Sequence, residues 1–229
     1  MMPAETSARR APAWRRSAIW IHISADIARN VFRFAPFVVR SWLKGDGGKE
    51  SCGSRYSNVS WRDAPASMEQ LRIERYLAAA PLVAKRILHV GVGSSTIARR
   101  FHAECAQIDG LTVMPDEISN ADSLGFTNYR VYLMDKFSPA LTSLPNRYHY
   151  IVDNNPSSFA PNRAAFESMI ANYVMLLEPG GMFLTDRVGM HYHEKYAFSI
   201  GDEDLIAQTH GLPARFERPT RSVRALVKI

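Results

Sequence analysis

The chain has 229 residues, 46% of them hydrophobic, enough for one catalytic-size core and a small appendage. Its two cysteines, Cys52 and Cys105, exclude a disulfide framework and a cysteine metal quartet. No uncharged apolar run reaches the roughly 18 residues that a transmembrane helix needs. The formal net charge of +6 belongs to residues 1–44, where eight basic side chains face only Glu5 and Asp26. The 20 basic and 20 acidic residues that follow cancel, so the overall basicity does not describe the main domain's ligand.

Residues 1–16 read as a disordered basic tail, without the uninterrupted apolar core of a secretory leader. Residues 17–44 read as an amphipathic helical extension. Trp20, Ile23, Ile27, Val31, Phe34, Val38 and Trp42 recur at steps of three and four, with Arg29, Arg33 and Arg40 on the far face. Pro36 should kink or split that helix. Three roles stay open for it: a cap over an open site, a peripheral membrane contact with arginines toward headgroups, or a homodimer contact. Nucleic acid is not favoured, because the basic arm lacks aromatic interleaving or a base-reading motif. Residues 45–60, rich in Gly and Ser, form a linker, and 61–229 form the main α/β domain.

Within that domain Ser67–Ala84 reads as a helix with Ser67 at its N-cap and Glu69, Arg72, Glu74 and Arg75 facing water. Next comes RILHVGVGSSTIARRF, residues 86–101. An apolar run through Ile87, Leu88 and Val90 breaks at Gly91 and Gly93, and a helix starts near Thr96. A strand, a glycine turn and a helix N-terminus in that order let backbone approach a ligand closely and direct free amides toward it. Further strands are expected at 106–115, 128–134, 148–152 and 182–185, with helices at 164–177 and 202–210. A closing hairpin joins 214–217 to 223–227. This alternation implies a doubly wound, mostly parallel sheet with an antiparallel C-terminal edge strand, preceded by the helical extension. Ligands of such sheets bind beyond the carboxyl ends of the strands, where Asp135, Asp153, Asn154 and Asp186 fall.

The order of these motifs resembles the class I S-adenosylmethionine-dependent methyltransferases, over residues 67–229. HVGVGSS is similar to their first motif, YHYIVDNN to the fourth-strand motif, and LLEPGGMFLTD to the turn entering the fifth strand. The resemblance implies a Rossmann-like fold and S-adenosylmethionine as cofactor, held by His89, Gly91, Gly93, Ser95, Thr112, Glu117, Asp135 and Asp153. Two positions depart from the pattern. GLTVMPDEI places Thr112 where most members carry a ribose-binding acid; it resembles the G-L-T-x-S-x-x-Q variant of the cyclopropane-synthase branch, with Glu117 at the glutamine position. Asp109 would be the acid only if the strand were a turn shorter. His89 stands where an acid usually helps hold the cofactor's amino group. Asp135 resembles the acid that receives the adenine amino group, with Phe137 against the ring, and Asn154–Pro156 resembles the start of the N-P-P-Y loop of amino-methylating enzymes.

Methyl transfer to a small-molecule O, N or C nucleophile is the activity so implied, with His191 and His193 as the candidate bases, since imidazole accepts a proton near neutral pH. Asp153, Asn154 and Asp186 are similar to the magnesium ligands of catechol-type O-methyltransferases, but Arg187 stands where an asparagine is wanted, so no metal is assigned. A dinucleotide oxidoreductase would require Gly or Ala at Thr96 and an acid at Thr112, and fails on both. A noncatalytic Rossmann-like domain that has lost or altered cofactor binding is the alternative, because of His89 and Thr112. The expected location is cytoplasmic, with membrane association left to residues 17–44.

Overall fold

The computed structural model describes residues 25–37, 60–191 and 200–229. The basic tail, the linker core, His193 and the outer parts of the 17–44 extension lie outside these residues. Residues 25–37 are helical (α1), and Pro36 falls within the last described turn without breaking the helix.

The sheet has seven strands in the order β3-β2-β1-β4-β5-β7-β6. They are β1 (Arg86–Val90), β2 (Gln107–Thr112), β3 (Tyr129–Leu133), β4 (Tyr148–Val152), β5 (Leu177–Asp186), β6 (Ala214–Glu217) and β7 (Val223–Lys228). β1 pairs in parallel with both β2 and β4, so the strand order reverses there. The closing hairpin inserts β7 antiparallel against β5 and leaves β6 at the edge. The helices are α2 (Met68–Leu77), α3 (Thr96–Phe101), α4 (Pro115–Asp122), α5 (Arg163–Leu176) and α6 (Asp202–Gln208).

Strand alternation splits the core between the two faces. Leu88 and Val90 pack with Phe166, Met169, Ile170 and Tyr173 of α5 on one side. On the other, Ile87 packs with Ile73 and Leu77 of α2 and with Ile97, Ala98 and Phe101 of α3. At roughly 2 kcal/mol for each fully buried large aliphatic or aromatic side chain, either layer alone outweighs any single polar contact in the fold.

Three local expectations are revised. α2 ends at Leu77 rather than Ala84, since Pro81 has no N–H with which to continue the ladder. Residues 115–122 form a helix and not the end of a strand; Pro115 at its first position, with Asp116 and Glu117 in the first turn, is the sequence signal for it. β5 begins at Leu177 and runs through Pro179, Gly180 and Gly181, where Gly180 adopts φ +74°.

The largest revision concerns the surface of α2. Glu69 and Glu74 are buried, not solvated. Arg72 makes a two-pronged contact with Asp186, Nε and Nη2 each at 2.8 Å, while its Nη1 reaches Asp26 of α1 at 2.9 Å. α1 therefore docks through polar side chains as well as through Phe34 and Phe37, which pack on Trp61. Asn30 donates to Glu69 and accepts from the Met68 N–H, and Arg33 Nε donates to the Ala66 carbonyl. Ile27 and Val31, from the apolar stripe, stay 55% and 59% exposed. Among the described residues no helix is long and apolar enough to cross a membrane.

Candidate active site at the carboxyl ends of the strands

A cavity of about 550 Å³ opens at the strand-order reversal, between the carboxyl ends of β1, β2 and β4, with α1 and α2 over it. Its volume lies in the range of small-molecule sites. The glycine turn forms one wall: Gly91 and Gly93 adopt φ +75° and +49°. A Cβ at Gly91 would meet no atom within 4 Å, so a side chain there would enter the cavity. The turn offers room more than donors. The amides of Gly91 and Val92 both donate to the Leu111 carbonyl, at 2.9 and 3.2 Å, and that of Gly93 to Glu117, so the bare amides expected at this bend are already in use. Gly110 on β2 makes the arrangement possible, because a Cβ there would fall 2.4 Å from Val92 Cγ1.

β2 runs to Thr112, which disposes of the shorter strand with Asp109 as the site acid. Asp109 is fully buried among Gln107, Asn146 and Tyr148, all three donating to it. Thr112 and Glu117 both line the cavity. The Thr112 hydroxyl donates to Glu117 Oε2 at 2.5 Å and the Trp61 N–H to Oε1 at 3.0 Å. Burial raises the Glu117 carboxyl above its usual range, against those hydrogen bonds. Met114 and Met134 flank this end with apolar, adaptable surface.

At the opposite end Asp153, beyond β4, accepts from Lys136 Nζ at 2.9 Å and from the Tyr173 hydroxyl at 3.0 Å. Lys136 also donates to the Asn155 carbonyl at 3.0 Å. Ammonium and guanidinium groups thus occupy the surroundings of Asp153 and Asp186. Among the described residues no group of three His, Cys, Asp or Glu side chains could hold a metal. His191 lines the cavity, and burial, with Arg187 adding to it, lowers its pKa, which keeps the imidazole neutral and able to accept a proton.

The remaining expected site residues lie elsewhere. His89 is on the α2/α3 face of β1 with Ile87, 1% exposed and outside the cavity lining; burial alone lowers its pKa to about 4. Ser95 caps α3 with φ +60°, a left-handed geometry that costs roughly 1 kcal/mol, and accepts from the Tyr129 hydroxyl at 2.9 Å behind the turn. Asp135 receives the Phe137 N–H at 2.9 Å, closing a local turn, while its neighbours Met134 and Lys136 face the cavity.

Several lining residues had no sequence signal of their own. Trp61 stacks on Phe37 at 5.7 Å and meets Phe34 edge-on at 5.6 Å, joining α1 to the Glu117 end. Ser158, 1% exposed, lines the cavity with an unpartnered hydroxyl. Glu69 and Lys136 come from a helix face and a loop that local periodicity assigns to solvent.

No protein-family model and no curated protein matches the sequence. Solved structures do match by shape. Magnesium protoporphyrin IX methyltransferase (ChlM) from Synechocystis PCC 6803, solved with bound SAM, superposes with TM-score 0.54 at 15% identity, covering 89% of this chain and 96% of that one. The N-methyltransferase NodS from Bradyrhizobium japonicum WM9, in complex with S-adenosyl-l-homocysteine, gives 0.52 at 13%, covering 69% and 85%. The sugar N-methyltransferase KedS8 from Streptoalloteichus sp ATCC 53650 gives 0.52 at 14%, covering 70% and 86%. At such identities the likeness speaks for architecture: the chain has the Rossmann-like fold of the class I S-adenosylmethionine-dependent methyltransferases.

Proposed function

We propose that this protein transfers a methyl group from S-adenosylmethionine to a small, largely apolar acceptor. The observation that carries the reading is convergence: the glycine turn after β1, the Thr112–Glu117 pair after β2 and Asp153 after β4 line one cavity at the point where the sheet reverses its order. The residues fit the cofactor. Gly91 leaves space for it, Thr112 and Glu117 present acceptor oxygens to sugar hydroxyls, and Met114 and Met134 offer apolar surface to the base. When bound, the cofactor supplies an electrophilic methyl and a neutral thioether leaving group.

The chain's own task is then alignment and desolvation. α1 shields the site from above while Ile27, Val31 and Phe34 form an apolar mouth, which favours an apolar acceptor. His191, kept neutral by burial, takes the acceptor's proton where the nucleophile is a hydroxyl or an acidic carbon. Lys136 fixes the Asp153 carboxylate by a direct ion pair, which holds this part of the wall in one arrangement.

One observation favours the noncatalytic alternative: Glu117 already serves as a brace, accepting from Thr112, Trp61 and Gly93. Incubating the full chain with methyl-labelled cofactor and fractionated small-molecule extracts decides between them. Label should move into an apolar fraction in a turnover-dependent manner; no transfer above the protein-free control contradicts the enzymatic reading.

A further inference from the structure

Three carboxylates line the cavity, and two are matched by several donors or by a cation. Glu117 accepts from a hydroxyl and two backbone amides, and Asp153 is ion-paired to Lys136. The third, Glu69, is 8% exposed, and among the described residues the groups bonded to its two oxygens reduce to the Asn30 amide, at 3.1 and 3.0 Å. A buried carboxylate is ordinarily matched by a cation or several donors, because a single neutral amide replaces little of its lost hydration. The guanidinium in its field, Arg72, is committed to Asp186 and Asp26. Asp26, Glu69 and Asp186 therefore set three buried carboxylates around Arg72, and among the described residues the one further cation, the exposed Arg29, pairs with Asp26 and not with Glu69.

A second observation points to a polar ligand in the same cavity: Ser158, which lines it, has a buried hydroxyl without a partner. β1, the strand that leads into the glycine turn, has no acid in its sequence RILHV. Negative charge on this side of the cavity comes from α2 instead.

We propose that Glu69 is the ammonium-binding group of this cavity, and that the ammonium it takes is the one on the amino-acid end of the cofactor. The inference rests on the cofactor reading above. A carboxylate has about four acceptor positions, and Asn30 occupies two, so an ammonium can donate to the others while its charge meets the uncompensated anion.

The test compares two ligands by titration calorimetry on the full chain: S-adenosylhomocysteine, which carries the ammonium, and 5′-methylthioadenosine, which lacks the whole amino-acid end. Glu69→Gln keeps an acceptor for the Asn30 amide and removes the charge. The substitution should weaken S-adenosylhomocysteine by about tenfold to a hundredfold and leave 5′-methylthioadenosine unchanged, the second arm also reporting an intact fold. Unchanged S-adenosylhomocysteine affinity, or equal weakening of both ligands, overturns the assignment. Wild-type protein that binds neither ligand removes the cofactor reading and this inference with it, an outcome distinct from a failure confined to Glu69.

Discussion

His89 gives the structure an acid-sensitive point next to the glycine turn. Its imidazole is 1% exposed in the centre of the sheet, and burial lowers its pKa from 6.5 to about 4. In the unfolded chain the same group binds a proton below about pH 6.5. Between these values the unfolded state holds more protons than the folded one, so stability is complete above about pH 6.5 and drains away as pH falls toward 4. At roughly 1.4 kcal/mol per pH decade, moving from pH 7.5 to pH 5 removes about 2 kcal/mol through this one residue. His89→Leu keeps the volume and deletes the titration. Urea unfolding followed by circular dichroism at both pH values should show the wild type losing about 2 kcal/mol more than the variant. Parallel losses would refute the buried, neutral imidazole. S-adenosylhomocysteine affinity should be the same in both proteins, because His89 lies outside the cavity lining.

Three further outcomes follow from the geometry. Arg72→Ala leaves Asp186 buried without its cation, and Asp26 with only the exposed Arg29 among the described residues, and should cost roughly 3–5 kcal/mol in urea unfolding; a change under about 1 kcal/mol would mean that the Arg72 ion pairs are not formed as described. Gly110→Ala drives a methyl into Val92 and should destabilise by about 1–3 kcal/mol, read as a lower thermal midpoint; an unchanged midpoint contradicts the close approach of the turn to β2. His191→Ala should lower the turnover number by about a hundredfold or more for a hydroxyl acceptor while cofactor affinity holds; equal turnover would assign the proton to another group.

How much of this was legible in the sequence depended on the range of the forces involved. β4 and β6 lie where alternation and turn residues place them, and β1, the glycine turn and α3 follow from an apolar run, two glycines and a helix start. α4 escapes a reading by periodicity because its apolar content is low, although Pro115 at N1 marks its start. β5 is longer than its apolar run: Pro179–Gly180–Gly181 reads as punctuation, and a register shift against β4 lets the strand carry those residues. α1 follows the usual rule only at Phe34, which packs on Trp61. Periodicity assigns its apolar stripe to the core, yet Asp26, Asn30 and Arg33 dock it, because the face of α2 beneath them holds Glu69 and Arg72. A pairing across 39 to 46 residues leaves no local trace. The same holds for Lys136 with Asp153 and for Trp61 with Glu117, which only the closed sheet brings together.

Equilibrium dialysis of labelled S-adenosylhomocysteine against the full chain and against Gly91→Val tests the central claim most directly. The wild type should retain ligand at micromolar concentrations. The variant, whose added side chain enters the cavity at a left-handed position costing roughly 1–2 kcal/mol of stability, should stay folded and retain none. Equal retention by both proteins, or no retention by the wild type at millimolar ligand, would contradict the placement of a nucleoside cofactor beside the glycine turn.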